Sequence, residues 1–248
     1  MRDLARVNEY IAHSRTVASL DGLSGLTADM SRDMGFDLFT LTQRDLSIRD
    51  RPAERFFLST YPEGWIERIV EQRYYADDPA YLASCRTSVG FTIADIPRLI
   101  PLTSRQRLIL EEARRAGVGE AFTVPGHIPG ESNGIATFAV RAGRELPSHR
   151  LPMAQLVGAF AYEAARRLRA DLDKRSGPVT LSARQIECVL YVAKGKTDWE
   201  IAQILGIRED TVTEHVDEAR RRYDVAKRAQ LVVRALYDGH ISLTDALS

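Results

Sequence analysis

Tyr61, Trp65 and Ile69 recur at i, i+4 and i+8, so they share one face of a helix. Asp78 follows just past that helix, immediately before Pro79. An indole N–H only donates a hydrogen bond, a phenol can donate, and an ionised carboxylate only accepts. Held together, such a trio would bind a small molecule that offers carbonyl oxygens and an N–H. The same spacing has a plainer use. A Tyr/Trp stripe commonly belongs to a core, and Asp before Pro commonly starts a turn or caps a helix. The pattern alone leaves both uses open.

Other chemistry has little support in the sequence. There is no GxSxG elbow, and the five histidines (His13, His127, His149, His215 and His240) are scattered. No metal site and no catalytic residue are expected, so the chain is not read as an enzyme. Cys85 and Cys188 form no CxxC pair and no Cys/His cluster, and both are expected to be buried thiols in a reduced compartment.

The 248 residues are enough for one large domain or two ordinary ones. The 34 basic and 34 acidic side chains cancel, which argues against a polybasic coat but leaves room for one DNA-reading face. No apolar run approaches the roughly 20 residues of a membrane span. The start, MRDLARVNEYIAHSR, carries charges throughout and lacks the apolar stretch of a secretion signal. The expectation is a cytoplasmic protein with no membrane partner and no cofactor.

The trio needs a scaffold, and the first two thirds of the chain mix helix and strand signals. Leu4, Val7 and Ile11 mark a first helix, and a second runs from about Thr16 to Met34. FDLFTLT (36–42) alternates as a strand, and FFLST (56–60) reads as another. Pro62 suits the first turn of a helix running to about Tyr75, with a short helix near Pro79. Residues 103–116 form an amphipathic helix between Thr103 and Gly117. Residues 120–126 and 134–142 read as a hairpin, and 148–172 as a long helix.

Ser176-Gly177-Pro178 punctuates the chain, and everything beyond it is helical. Helix one spans about 182–194, with Ser182 and Gln185 as a capping box and Ile186, Val189, Leu190 and Ala193 inward. Helix two follows Thr197, and Gly206 supplies a tight turn into helix three at about 210–223. Val212, Val216, Ala219 and Tyr223 make its buried stripe. Helix four, about 227–238, closes the bundle through Ala229, Val232, Val233 and Leu236. Two short helices around a Gly turn suit a helix-turn-helix, and also an ordinary four-helix bundle.

The segment from Leu181 to Ile241 resembles the LuxR-type helix-turn-helix. The matching elements are Leu181-Ser182, Arg184, Glu187, Leu190, Gly195-Lys196-Thr197, Glu200-Ile201-Ala202, Leu205, Thr211-Val212, His215, Arg228 and Gln230. The resemblance implies that the third helix enters the major groove of double-stranded DNA. Thr213, Glu214 and Asp217 would then face the bases. Relatives commonly carry Arg or Lys there, so the two carboxylates are a departure. They repel phosphate, yet could accept from cytosine amino groups. Ten basic and eleven acidic residues follow Pro178, so phosphate contacts must come from local groups. Lys194, Lys196, Arg208, Arg220, Arg221 and Lys227 are the candidates, with Thr197 and Thr211 adding hydroxyls. An unusual operator or weak binding is expected.

Residues 61–79 are similar to the sharpest motif of the autoinducer-binding domain that precedes this helix-turn-helix in quorum-sensing regulators, and the wider likeness extends over about 20–170. In that family the ligand is an N-acyl-homoserine lactone. The resemblance implies that Trp65 donates to the lactone carbonyl, Tyr61 to the acyl carbonyl, and that Asp78 accepts from the amide N–H. Ile69 stands where the family often has a second Tyr, and Ile93 where a Trp commonly lines the lactone end. Ala121 stands in place of a common Gly. Phe91, Phe122, Thr123, Phe138 and Ala139 are expected as further pocket wall. Loss of two aromatic rings should enlarge or reshape the cavity and alter selectivity.

The expected fold class is α+β: an N-terminal α-β-α sandwich sensor domain (1–172), a linker (173–179) and a small all-α, four-helix helix-turn-helix domain (180–248). A homodimer is expected, because a palindromic operator mirrors a two-fold axis. The competing reading is a ligand-independent regulator whose first domain only dimerises or binds another protein.

Overall fold

The computed structural model describes residues 2–45, 53–128, 131–172 and 179–248. It divides into two compact units, Met1–His127 with Ser132–Asp173, and Ile128–Glu131 with Lys174–Ser248. The expected linker 173–179 lies, except for Val179, outside the described residues.

The first unit opens with α1 (Arg2–Thr16) and α2 (Leu20–Asp33), the second capped by Ser19, whose hydroxyl accepts from Gly22 N. Strands β1 (Leu38–Asp45) and β2 (Ala53–Ser59) follow, then α3 (Glu63–Glu71), α4 (Pro79–Ser84), the two-residue β3 (Phe91–Thr92), α5 (Ile96–Leu99) and α6 (Ser104–Arg115). Strands β4 (Val118–Gly126) and β5 (Gly134–Arg141) and the long α7 (Leu151–Leu172) complete it. The strands form one antiparallel sheet in the order β2-β1-β5-β4-β3.

Successive residues of a strand point to opposite faces, and here the two faces have different tasks. Phe39, Leu41, Phe138, Phe122 and Val124 lie fully buried on the face covered by α2 and α7. Phe36 and Phe138 stack there with centroids 5.6 Å apart, and Phe56 meets Tyr162 of α7 at 5.8 Å. Arg167 of α7 donates to the carbonyls of Ser14 and Val17, which ties α1 to the same layer. The opposite face carries Leu38, Thr40 and Thr42 on β1 and Ile135 and Thr137 on β5, under α3, α4 and α6.

One expected helix is shorter than its periodicity suggested. The stretch from Pro62 to Tyr75 breaks at Arg73, which takes the left-handed conformation (φ 54°) and starts a 3-10 turn over Tyr74–Ala76. The turn swings Tyr74 back onto Trp65, with ring centroids 6.1 Å apart. By contrast α6 is capped as its sequence indicates, with a reciprocal box between Thr103 and Gln106.

The second unit holds α8 (Ala183–Ala193), α9 (Asp198–Leu205), α10 (Glu209–Arg222), α11 (Arg228–Tyr237) and a short α12 (Leu243–Leu247) that the sequence reading missed. Its core collects Leu181, Cys188, Val189, Ile201, Val212, Val216, Ala219, Tyr223 and Leu231. Two inward stripes differ from expectation. On α8, Gln185 and Cys188 are buried, with Ile186 and Leu190 at the margin; Gln185 is tolerated inside because it closes the Ser182 box and donates to Glu218 at 2.8 Å. On α11 the fully buried pair is Leu231 and Ala235, while Val233 stands 64% exposed and Ala229 also faces outward. A short helix with apolar residues on three sides does not reveal its phase. Cys188 is buried as expected, but Cys85 is exposed at the end of α4.

Candidate functional site

The helical layer α3–α6 stands off the sheet and leaves a cavity of about 310 Å³. Tyr61, Trp65, Ile69, Asp78 and Ile93 all line it, as does Thr123. Four expected wall residues do not. Phe138 and its cross-strand partner Phe122 belong to the α7 face, because each sits one step out of phase with a cavity threonine, Thr137 on β5 and Thr123 on β4. Ala139 has the right parity but is fully buried in the cluster beneath Trp65 and Tyr74. Phe91 pairs with Thr123, yet its ring packs with Ala83 and Ile96 beside the cavity.

Strand register arranges the sheet side of the cavity in cross-strand rows. Leu38, Ala139 and Ala121 form one row, in the apolar cluster that holds Trp65 and Tyr74. Thr40, Thr137 and Thr123 form the next. Phe57, Thr42 and Ile135 form the third. Thr40, Thr42, Phe57, Tyr74, Tyr75, Ile109, Ile135 and Thr137 are wall residues that sequence reasoning passed over. The alternation in FDLFTLT already placed Thr40 and Thr42 on one face; what it could not supply was which face the helices leave open.

Each polar side chain of the trio is positioned by local structure. Asp78 is the N-cap of α4: its Oδ1 accepts from Ala80 N at 2.9 Å and Tyr81 N at 3.3 Å. Pro79 at the first helical position fixes the start of that helix. The capping use and the ligand use are therefore compatible, since a carboxylate has about four acceptor positions. Burial raises the Tyr61 phenol well above its ordinary range, and the nearby Asp78 charge adds to this. The phenol stays protonated and available as a donor. Trp65 is buried on α3 against Tyr74, whose hydroxyl donates to Glu112 Oε2 at 2.8 Å. Glu112 also receives Arg68 Nε at 3.0 Å, so α3, the 3-10 turn and α6 are joined at one carboxylate. The Arg68 hydrogen bond, then that of Tyr74, holds the Glu112 carboxyl below its usual range.

In the second unit, α9 and α10 meet at Gly206, which takes φ +65° as the C-cap of α9. Thr197 and Glu200 close a reciprocal box at the start of α9, so the Thr197 hydroxyl is engaged with Glu200 at 3.0 Å. Asp198 accepts from Thr213 of α10 at 2.9 Å and from Arg228 of α11 at 2.6 Å, pinning three helices together. On the outer side of α10, Thr213, Glu214, Asp217 and Arg221 are exposed, and Thr211 is partly so. Asp217 pairs with Arg220 at 2.9 Å, which mutes one of the two unexpected carboxylates. Lys196 meets Glu200 at 3.3 Å and Arg208 meets Asp210 at 3.3 Å, both in exposed pairs, while Lys227 caps α11 from the surface.

Among the described residues no His/Cys/Asp/Glu group could hold a metal ion, and no helix is long and apolar enough to cross a membrane.

A largely apolar pocket with three polar groups on its wall in one unit, and two helices set around a glycine turn in the other, define the class of a ligand-responsive DNA-binding regulator. Comparison with known proteins agrees. Residues 19–165 match the autoinducer binding domain, and residues 179–235 match the bacterial regulatory proteins of the luxR family. The chain is 30% identical to the quorum-sensing regulator RhlR of Pseudomonas aeruginosa, over 79% of this chain and 80% of that protein. It is 30% identical to the putative HTH-type transcriptional regulator y4qH of Sinorhizobium fredii over 74% of this chain, but spans only 56% of that protein. The crystal structure of Escherichia coli SdiA superposes with a TM-score of 0.71 at 22% identity, covering 96% of this chain and 99% of that one. A second SdiA structure holds octanoyl-rac-glycerol. This chain belongs to the LuxR family of quorum-sensing transcriptional regulators, with an autoinducer-binding domain and a helix-turn-helix.

Proposed function

We propose that the cavity takes an N-acyl-homoserine lactone and that the liganded protein, as a homodimer, binds a palindromic operator. The observation that carries this reading is the presence of Tyr61, Trp65 and Asp78 on the wall of one cavity. The ligand class has two carbonyl acceptors and one N–H, and the trio has two donors and one acceptor. In the proposed pose Trp65 donates to the lactone carbonyl, Tyr61 to the acyl carbonyl, and Asp78 accepts from the amide. Ile69 and Ile93 contribute aliphatic wall, which suits an acyl group rather than a stacked ring. The lactone is read as bound and not hydrolysed.

The DNA-contacting set proposed is Lys196, Thr197, Arg208, Thr211, Thr213, Glu214, Asp217, Arg221 and Lys227, with α10 in the major groove. Thr197 and Thr213 hold internal hydrogen bonds, so their hydroxyls would serve as positioned groups at the DNA surface. The protein is read as cytoplasmic, where a DNA-binding regulator meets its operator. The ligand acts by stabilising the first unit through mass action, and thereby biases the population able to bind DNA.

The test is fluorescence anisotropy of a labelled palindromic operator with and without a panel of lactones, alongside mass spectrometry of any small molecule that co-purifies. A lactone-dependent change in operator affinity supports the reading. Operator binding indifferent to every lactone, with none co-purifying, overturns it in favour of a ligand-independent regulator. Octanoyl glycerol belongs in the panel because it occupies SdiA.

A further inference from the structure

Helical spacing sets the outward side of α10. Asp210, Thr213, Glu214, Asp217 and Arg221 recur at i, i+3, i+4, i+7 and i+11, and each is exposed. Four of them are already engaged. Asp210 pairs with Arg208 at 3.3 Å. The Thr213 hydroxyl donates to Asp198 Oδ2 at 2.9 Å, so its proton points back into the helical unit. Asp217 pairs with Arg220 at 2.9 Å, and Arg220 also donates to the Ala226 carbonyl, which anchors that pair to the turn before α11. Arg221 rests its Nε on the Asp217 carbonyl at 3.4 Å. Glu214 differs. Among the described residues its carboxylate makes no hydrogen bond and no ion pair.

That difference bears on which side chain can meet a base edge. A recognition helix reads with its N-terminal half, and Glu214 is the sixth residue of α10. Moving Asp217 to a base would break its pair with Arg220, whereas moving Glu214 there breaks nothing. A carboxylate only accepts. In the major groove guanine offers two acceptors, thymine an acceptor and a methyl, and adenine an acceptor beside its amino group. Cytosine alone offers a donor with no acceptor of its own at that edge. Against any other base the carboxylate faces an acceptor with no proton between them.

We propose that Glu214 is the specificity-determining residue of α10: it accepts from the N4 amino group of a cytosine in each half-site, while Asp217 stays with Arg220. This rests on the reading of α10 as the major-groove helix and narrows it to one residue and one base. The carboxylate adds no attraction for the phosphate backbone, so it acts by discrimination. A lysine at the same position would gain affinity for any sequence and lose the preference.

The experiment selects duplexes from a randomised library with the full chain, with and without a mixture of N-acyl-homoserine lactones, in wild type, Glu214→Gln and Glu214→Ala. Wild type is expected to enrich half-sites with one position held as C·G, and replacing that cytosine lowers affinity about tenfold. Glu214→Gln can accept from and donate to adenine, so it shifts the same position to A·T. Glu214→Ala flattens that position and leaves the rest of the site as in wild type. Both replacements are good helix formers at an exposed position, so their melts should coincide with wild type. An enriched site that is the same in all three proteins overturns the proposal and leaves the DNA reading standing. If wild type enriches no sequence in either condition, the DNA reading itself fails, and this proposal with it.

Discussion

The hydroxyl of Tyr74 donates to Glu112 Oε2 at 2.8 Å, and that one contact fastens the wall behind Trp65 to α6. Arg68 completes the junction from α3. Three elements that hold the cavity open are thereby cross-linked by a carboxylate that sits below its ordinary range. Because the folded carboxyl is depressed, its stabilising contribution is present above the unfolded-state value and is lost as pH falls through the folded one. Glu112→Gln should therefore flatten the loss of stability on acidification below about pH 5, where unfolded glutamate begins to protonate. Glu112→Ala should cost about 1 kcal/mol at neutral pH. Denaturant titrations at a series of pH values measure both.

Asp78 is asked to do two things, and two substitutions separate them. Asp78→Ala removes the cap of α4 and should cost about 1 kcal/mol of stability in the absence of ligand. Asp78→Asn keeps a capping oxygen and should melt close to wild type. It loses the charge on the bond to the ligand amide, so lactone affinity should fall about tenfold or more. Apo melts paired with ligand titrations check the separation.

Phe138 and Thr137 are neighbours on β5 but face opposite layers. Phe138→Ala should destabilise the first unit by about 3–5 kcal/mol, since it empties a fully buried site against Phe36. Thr137→Ala should cost less, about 1–3 kcal/mol, since it leaves the buried Thr123 hydroxyl without its partner, and should lower ligand affinity as well. A chemical denaturation curve for each variant decides whether the two effects divide as the sheet parity requires.

Glu214 lies exposed on α10 while its companion carboxylate Asp217 is paired with Arg220. Glu214→Lys should tighten operator binding and steepen the dependence of log affinity on log salt by about 1 unit if the new charge reaches a phosphate. Anisotropy over a salt series reads the slope directly. An unchanged slope would place this position away from the DNA backbone.

Much of the scaffold was legible because its signals are local. The capping box at Ser182 and the helix starts after Thr103 and Thr197 stand in the structure where the sequence puts them, and the hairpin strands fall within a residue or two of their expected ends. What failed was long-range. Ala139 and Phe91 look like wall by composition, yet Ala139 is sealed beneath Trp65 and Phe91 is drawn into a side cluster. The threonine rows needed cross-strand register, which no single strand encodes. The break at Arg73 was missed because arginine carries no signal for a left-handed turn. Phase failed on α11, where apolar residues surround the helix.

The central claim is that the cavity bounded by Tyr61, Trp65 and Asp78 grips an amide-linked acyl lactone. Thermal unfolding of the full chain with lactone at about 100 times its dissociation constant tests it most directly. The account predicts stabilisation of the order of 2.7 kcal/mol, seen as a rise of several degrees in Tm that shrinks at the same concentration in Trp65→Phe and Asp78→Asn. A rise that is unchanged in both variants, or no rise with any lactone, would contradict it.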